Sequence, residues 1–180
     1  MKIKHILLNT GICFVVCAGL VSPVNAQKAA NLTDPEIASI AVTANQIDID
    51  YAKIAESKTK NEDVLKFAQT MAKDHQSVID QAVALVTKLG VTPKDNATSK
   101  SLKAGEVKTK KLLQSKSGKA FDKAYIDNEV AYHKAVIKEV QNALIPDAQN
   151  AELKSLLQSV LPVLQQHLSH AEMVQKQLNK

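Results

Sequence analysis

Apolar residues recur along this chain at alternating intervals of four and three over four long stretches, the pattern of helices that turn one face to a core. One stretch reads Val64, Ala68, Met71, His75, Val78, Ala82, Leu85, Leu89. A second reads Ile126, Val130, His133, Ile137, Val140, Leu144, and a third Leu153, Leu157, Val160, Leu164, His167, Ala171, Val174, Leu178. Each of these three apolar stripes carries one histidine in its middle. An earlier stretch has two competing stripes. Ile37, Ala41, Ala44, Asp48, Tyr51, Ala55 places an aspartate on the buried face, and Ile40, Ala44, Ile47, Tyr51, Ile54 leaves Asp48 at its flank.

Helix boundaries follow from punctuation. Thr33-Asp34-Pro35-Glu36 opens the first helix with a capping residue, a proline in the first turn and an acid at the positive end of the dipole. Asn61-Glu62-Asp63 opens the second, and Gly90 followed by Pro93 ends it. The predicted helices span about residues 34–57, 61–89, 119–144 and 148–178, with Pro146-Asp147 turning the chain before the last. Pro162 inside the last helix deprives the Gln158 carbonyl of its partner and predicts a kink. Residues 91–117 are rich in Lys, Ser, Thr and Asn; Val107, Leu112 and Leu113 form one weakly amphipathic patch, enough for a short helix. No strand-like alternation occurs, and the expected fold is an all-α, ferritin-like four-helix bundle with a long crossover between helices 2 and 3.

The crossover is argued from its length. About 28 residues exceed what antiparallel neighbours need, and they suffice to return the chain so that helices 2 and 3 run parallel. At a rise of 1.5 Å per residue, His75 and His133 then lie roughly 21 Å below one end of the bundle, and Asp48 and His167 roughly 16 Å below it. A simple up-down-up-down path displaces His167 by roughly 15 Å. The crossover therefore predicts one polar layer within an apolar core.

Composition narrows the chemistry. Lys2, Lys4 and His5, the apolar run Ile12 to Val21, and Val24-Asn25-Ala26 read as a secretory signal peptide over residues 1–26. The run is too short to span a bilayer comfortably. The expected mature chain is one domain, residues 27–180, exported to the periplasm with no transmembrane segment. Phe14-Val15-Val16 before Cys17 lacks the leucine and small residues of a lipid-anchor site. Cys13 and Cys17 depart with the signal, which leaves neither disulfides nor cysteine–metal chemistry. All 23 basic residues are lysines, 21 of them after residue 26 against 18 acidic residues. Without arginine for bidentate phosphate or guanine contacts, nucleic-acid binding is not expected. The chain has no phosphate-binding glycine loop, nucleophile elbow or HExxH motif.

A buried polar group without a partner costs on the order of 1–3 kcal/mol, so three imidazoles in one core need one another, carboxylates and water, or a metal. Three histidines with one carboxylate suit Zn, Cu, Ni or Fe as a divalent ion. His75, His133 and His167 are the candidate ligands, with Asp48 as the fourth group. Glu129, one turn before His133, is the leading outer carboxylate. His170 and Asp74 are further outer candidates: His170 is an extra ligand or exposed on the helix flank, and Asp74, about 100° round the helix from His75, is not placed to share ligation with it directly. Met71 and Met173 read as packing, and Tyr51, Tyr125 and Tyr132 as aromatics at the core edge. The rival reading is a buried His–His–Asp–water network in a structural or interaction protein of the envelope. Either reading describes binding or scaffolding rather than turnover.

Phe67-Ala68-x-x-Met71-x-x-Asp74-His75, Phe121-Asp122-x-x-Tyr125 through His133, and Leu161-Pro162-x-Leu164-x-x-His167-Leu168 together resemble domain of unknown function 4142 over roughly residues 33–178. That family of exported bacterial proteins, often labelled outer membrane proteins, is similar to ferritin-like bundles. The resemblance implies that the family's recurrent histidines fall on His75, His133 and His167, and its helix-1 acid, usually Glu, on Asp48. It implies no activity. The sequence lacks the paired Glu-x-x-His motifs of di-iron carboxylate proteins; Glu129 and His133 are four apart, and ferroxidase chemistry is not expected.

Overall fold

A computed structural model describes residues 31–180; the predicted signal peptide, with Cys13 and Cys17, lies outside the described residues. Residues 31–180 form one compact unit, all-helical, with no strand among the described residues. The helices are α1 (Asp34–Lys58), α2 (Glu62–Leu89), α3 (Ala97–Gln114), α4 (Gly118–Glu139) and α5 (Ala151–Leu178). A π-helical turn, Val140–Leu144, and a last α-helical turn, Ile145–Asp147, prolong α4. No described helix is long and apolar enough to cross a membrane.

The caps are those that the punctuation predicts. The Glu36 carboxylate accepts from the Thr33 N–H and hydroxyl. Asn61 Oδ1 accepts from the N–H groups of Asp63 and Val64, and Gly90 closes α2 in the left-handed conformation at φ 63°, which glycine adopts without a Cβ penalty. Asn150 caps α5 on Glu152 and Leu153. α5 begins at Ala151 rather than near residue 148 because the preceding helix continues through Pro146 to Asp147. Pro146 has no N–H for the Asn142 carbonyl, and the chain there widens to an i→i−5 pattern in which Ile145 N–H reaches the Val140 carbonyl,. α5 itself runs unbroken through Pro162.

Among the described residues, five helices replace the four predicted. The crossover is itself a helix, α3, capped reciprocally by Asn96 and Ser99. The sequence predicts only a short helix around Val107, Leu112 and Leu113, because only Ser99 and Leu113 are buried along α3, too few positions to write a stripe. α3 begins beside the start of α1, where Asn96 Nδ2 donates to the Glu36 carbonyl and Ser39 Oγ to Asp95. It ends beside the end of α1, where Lys58 Nζ donates to the Leu113 and Gln114 carbonyls. α3 is therefore parallel to α1 and carries the chain the length of the domain.

Bonds at the two ends fix the remaining directions. At one end, Asp34 accepts from the Gln149 and Asn150 N–H groups, Asp147 accepts from Leu32 N–H, and Lys88 pairs with Glu152. At the other, Thr59 Oγ1 donates to Asp122 and Lys123 reaches Asn179. α2 and α4 thus run parallel, opposite to α1 and α5. The apolar core falls into two clusters. One contains Tyr51, Phe67, Met71, Phe121, Tyr125 and Ile126; the other contains Ile37, Ile40, Val140, Leu144, Leu153 and Leu157. Tyr51 and Tyr125 are fully buried, not at the core edge.

Asp34 ties the start of α1 to the turn before α5 through two charge-assisted hydrogen bonds. Asp34→Ala is expected to cost about 2 kcal/mol, lowering Tm by roughly 4–8 °C. Asp34→Asn, which keeps one acceptor, is expected to lose less than half as much. Thermal unfolding followed by circular dichroism checks both, and an unchanged Tm in Asp34→Ala would contradict this role.

Candidate metal centre

Between the two apolar clusters lies a polar layer to which four helices contribute: Asp48 from α1, His75 from α2, His133 and Glu129 from α4, and His167 from α5. All five side chains are buried, Asp48 and Glu129 completely. The three imidazoles form a near-equilateral triangle, with ring centroids 5.6 Å apart for His75 and His133, 5.2 Å for His75 and His167, and 5.5 Å for His133 and His167. One ring nitrogen from each lies within 4.8 Å of those of the other two. The parallel course of α2 and α4 brings these side chains to one level.

Each ring has one nitrogen held by the protein. His75 Nδ1 is 2.7 Å from Asn45 Oδ1. The Asn45 amide is oriented in turn, since its Nδ2 donates to the Ala41 carbonyl at 2.8 Å, so Oδ1 is the acceptor and Nδ1–H the donor. His133 Nδ1–H donates to the Glu129 carbonyl one turn back at 3.0 Å. His167 Nε2–H donates to Asp74 Oδ2 at 3.1 Å. The other nitrogens, His75 Nε2, His133 Nε2 and His167 Nδ1, are buried with no hydrogen-bond partner among the described residues, and so are both Asp48 oxygens. Asp48 Oδ2 lies 3.5 Å from His75 Nε2 and 3.7 Å from His133 Nε2. Three lone pairs and a carboxylate thus converge without a protein donor, while outer acceptors fix the tautomer of each ring. Imidazoles that bind metals are held in this way.

Glu129 adds a second carboxyl. Its Oε2 is 3.6 Å from His133 Nδ1, and oxygens of Asp48 and Glu129 with a nitrogen of His133 form a second close group. The layer is therefore richer in carboxylates than the sequence indicated. Burial pushes the Asp48 carboxyl up to about 8, opposed in part by the neighbouring Glu129 carboxyl. Burial, reinforced by the charge of Asp48, holds Glu129 well above the usual range. Burial lowers all three histidines, His133 to about 4; the Asp74 bond partly offsets this at His167. The rings are neutral at pH 7, the state in which their lone pairs are free.

The other expectations fare differently. Asp74 does not approach the open nitrogens but orients His167 from a half-exposed position. His170 stands apart from both close groups and packs edge-on against Phe67, centroids 5.1 Å apart. Met71 is core and Met173 is exposed, with neither in the layer. Asn45 went unrecognised, although it stands one turn before Asp48 at the i, i+3 spacing that puts two residues on one helix face.

The shifts make the stability of the metal-free protein depend on pH. Histidines depressed below 6.5 bind protons more readily when unfolded, so they lose stability as pH falls below 6.5,. Asp48 and Glu129, raised in the folded state, bind protons more readily when folded, so stability falls as pH rises from the usual carboxylate range through about 8,. Below 6.5 the two sets oppose each other; above it only the carboxyls act. Melting of the metal-free protein is expected to decline from pH 6.5 toward pH 9. A Tm that rises steadily over pH 6.5–9 would contradict a protonated carboxyl pair.

No curated protein and no solved structure matches the chain. A family model described as Domain of unknown function (DUF4142) matches residues 20–174. The match covers the greater part of the sequence and every residue of the polar layer, and the chain belongs to the DUF4142 family.

Proposed function

We propose that this protein is an exported, ferritin-like helical bundle that binds one divalent metal ion through His75 Nε2, His133 Nε2 and His167 Nδ1, with Asp48 as the fourth ligand. The observation that carries the reading is the pairing state of the rings. Each has its outward nitrogen tied to Asn45, the Glu129 carbonyl or Asp74, and its inward nitrogen lacks a partner among the described residues. A structural polar network would instead pair the inward nitrogens with donors. Three neutral nitrogens and one carboxylate suit tetrahedral Zn and also accommodate Cu, Ni or Fe. Glu129 stands behind Asp48 as an outer group. Burial in the middle of the core favours retention, so the role is metal buffering or envelope stress protection in the periplasm rather than turnover.

Residues 27–180, purified without an affinity tag and freed of metal, are the material for the test. A metal at a hundred times its dissociation constant stabilises by about 2.7 kcal/mol, which raises Tm by roughly 5–11 °C for a domain of this size. One equivalent of Zn, Cu, Ni or Fe is expected to bind and produce such a rise. His75→Ala and His133→Ala are expected to abolish it. If no metal raises Tm, and the triple variant His75→Leu, His133→Leu, His167→Leu melts higher than the parent, the layer is a structural network.

Asn45→Ala separates positioning from ligation. Loss of an outer partner to a ligating histidine lowers metal affinity about 10–100-fold, so this variant is expected to bind one equivalent more weakly by that factor. Calorimetric titration checks it, and an unchanged affinity would remove Asn45 from the site.

A further inference from the structure

The polar layer forms the floor of a chamber. A cavity of about 240 Å³ extends from it toward the end of the bundle where α1 and α5 begin, and Asp48, His75, His133 and His167 are among its lining residues. On α1 and α5 the layer residue is the last that lines the cavity, and on α2 it is the first. The wall is almost wholly aliphatic, with Ile40, Ala82, Leu102, Val140, Leu157 and Leu164 contributing. Glu139, the only other acid in it, is half-exposed. On α2 and α5 the lining residues Val78, Leu85, Val86, Leu156, Val160 and Val163 are only half-buried, and Ala135 on α4 is exposed. The π-helical turn sets part of this wall, since Val140 and Leu144 both line the cavity; such turns recur at functional sites.

We propose that this chamber binds a medium-chain alkyl carboxylate, its hydrocarbon chain among the aliphatic side chains and its carboxylate as a fifth ligand on the metal ion held by His75, His133, His167 and Asp48. The inference rests on the metal reading above. An aliphatic cavity of about 150 Å³ stays dry and accepts benzene; scaled by volume, about 240 Å³ accepts on the order of ten carbons. The head group follows from charge. Three neutral imidazoles and one carboxylate leave a dication with excess positive charge at the floor of an apolar space, where an anionic oxygen ligand is favoured. A ligand with only a chain leaves that charge unmet, and one with only a head leaves the chamber empty.

Sodium decanoate, octanoate and acetate are the probes, titrated below micelle-forming concentrations into metal-free and zinc-loaded residues 27–180. Zinc-loaded protein is expected to bind one decanoate, at least tenfold more tightly than metal-free protein, with affinity rising about fourfold per methylene from octanoate. Acetate is expected to show no saturable binding in the same range. Ala82→Phe and, independently, Val160→Phe fill the chamber and are expected to abolish decanoate binding with zinc affinity unchanged; two positions guard against one variant failing to fold. Zinc binding without decanoate binding, or decanoate affinity unchanged in both variants, overturns the chamber assignment and leaves the metal reading intact. Equal decanoate affinity with and without zinc overturns the placement of the head group. Absence of zinc binding defeats the metal reading and this inference with it, even if decanoate binds.

Discussion

Each imidazole in the polar layer has one nitrogen bonded to the protein and one aimed at its neighbours, and the rest of the structure is arranged to keep it so. Three different outer acceptors are used: a side-chain amide, a main-chain carbonyl and a carboxylate. Neutral imidazole carries a single N–H, so engaging that hydrogen outward leaves a lone pair inward by necessity. Three lone pairs and the Asp48 carboxyl then share one buried region without a hydrogen-bond partner among the described residues. Buried acceptors without donors are costly, and the fold accepts that cost on four helices at once.

The architecture supplies the means. A return helix, α3, lets α2 and α4 run parallel, which brings residues from the middle of α2, α4 and α5 to a common height beside Asp48. The two apolar clusters on either side exclude water and raise the cost of any charge placed between them. The same burial depresses the histidines and raises the two carboxyls, so the layer is neutral near pH 7 apart from the fraction of Asp48 that has ionised. The imidazoles would offer a dication neutral nitrogens that need no deprotonation, and Asp48 would give up its proton to act as a ligand.

Much of this was legible in the sequence, because helix-forming stripes announce both themselves and their exceptions. The stripe around His133 needs only its four-and-three spacing to place that ring inside, and the length of residues 91–117 gives the parallel course of α2 and α4. What escaped has physical reasons. α3 packs through so few buried positions that its lysine-rich sequence carries almost no periodic signal; its reciprocal Asn96–Ser99 cap was the mark available. Glu129 and Asn45 are polar residues beside apolar stripes, and composition cannot distinguish a solvated flank from a buried partner. The π-helical turn depends on how Pro146 is accommodated within a continuing helix, where the sequence pattern offered only a chain reversal. The chamber is lined from all five helices, which no single stripe encodes.

The most direct test of the convergent lone pairs is the nitrogen spectrum of the three rings. Long-range ¹H–¹⁵N correlation on uniformly ¹⁵N-labelled protein loaded with ¹¹³Cd reports both the tautomer and the ligating atom of each histidine. The account predicts Nδ1–H tautomers for His75 and His133 and an Nε2–H tautomer for His167, with cadmium couplings to Nε2, Nε2 and Nδ1 respectively. Cadmium coupled to other nitrogens, or protons resting on the inward nitrogens in the loaded protein, would contradict it.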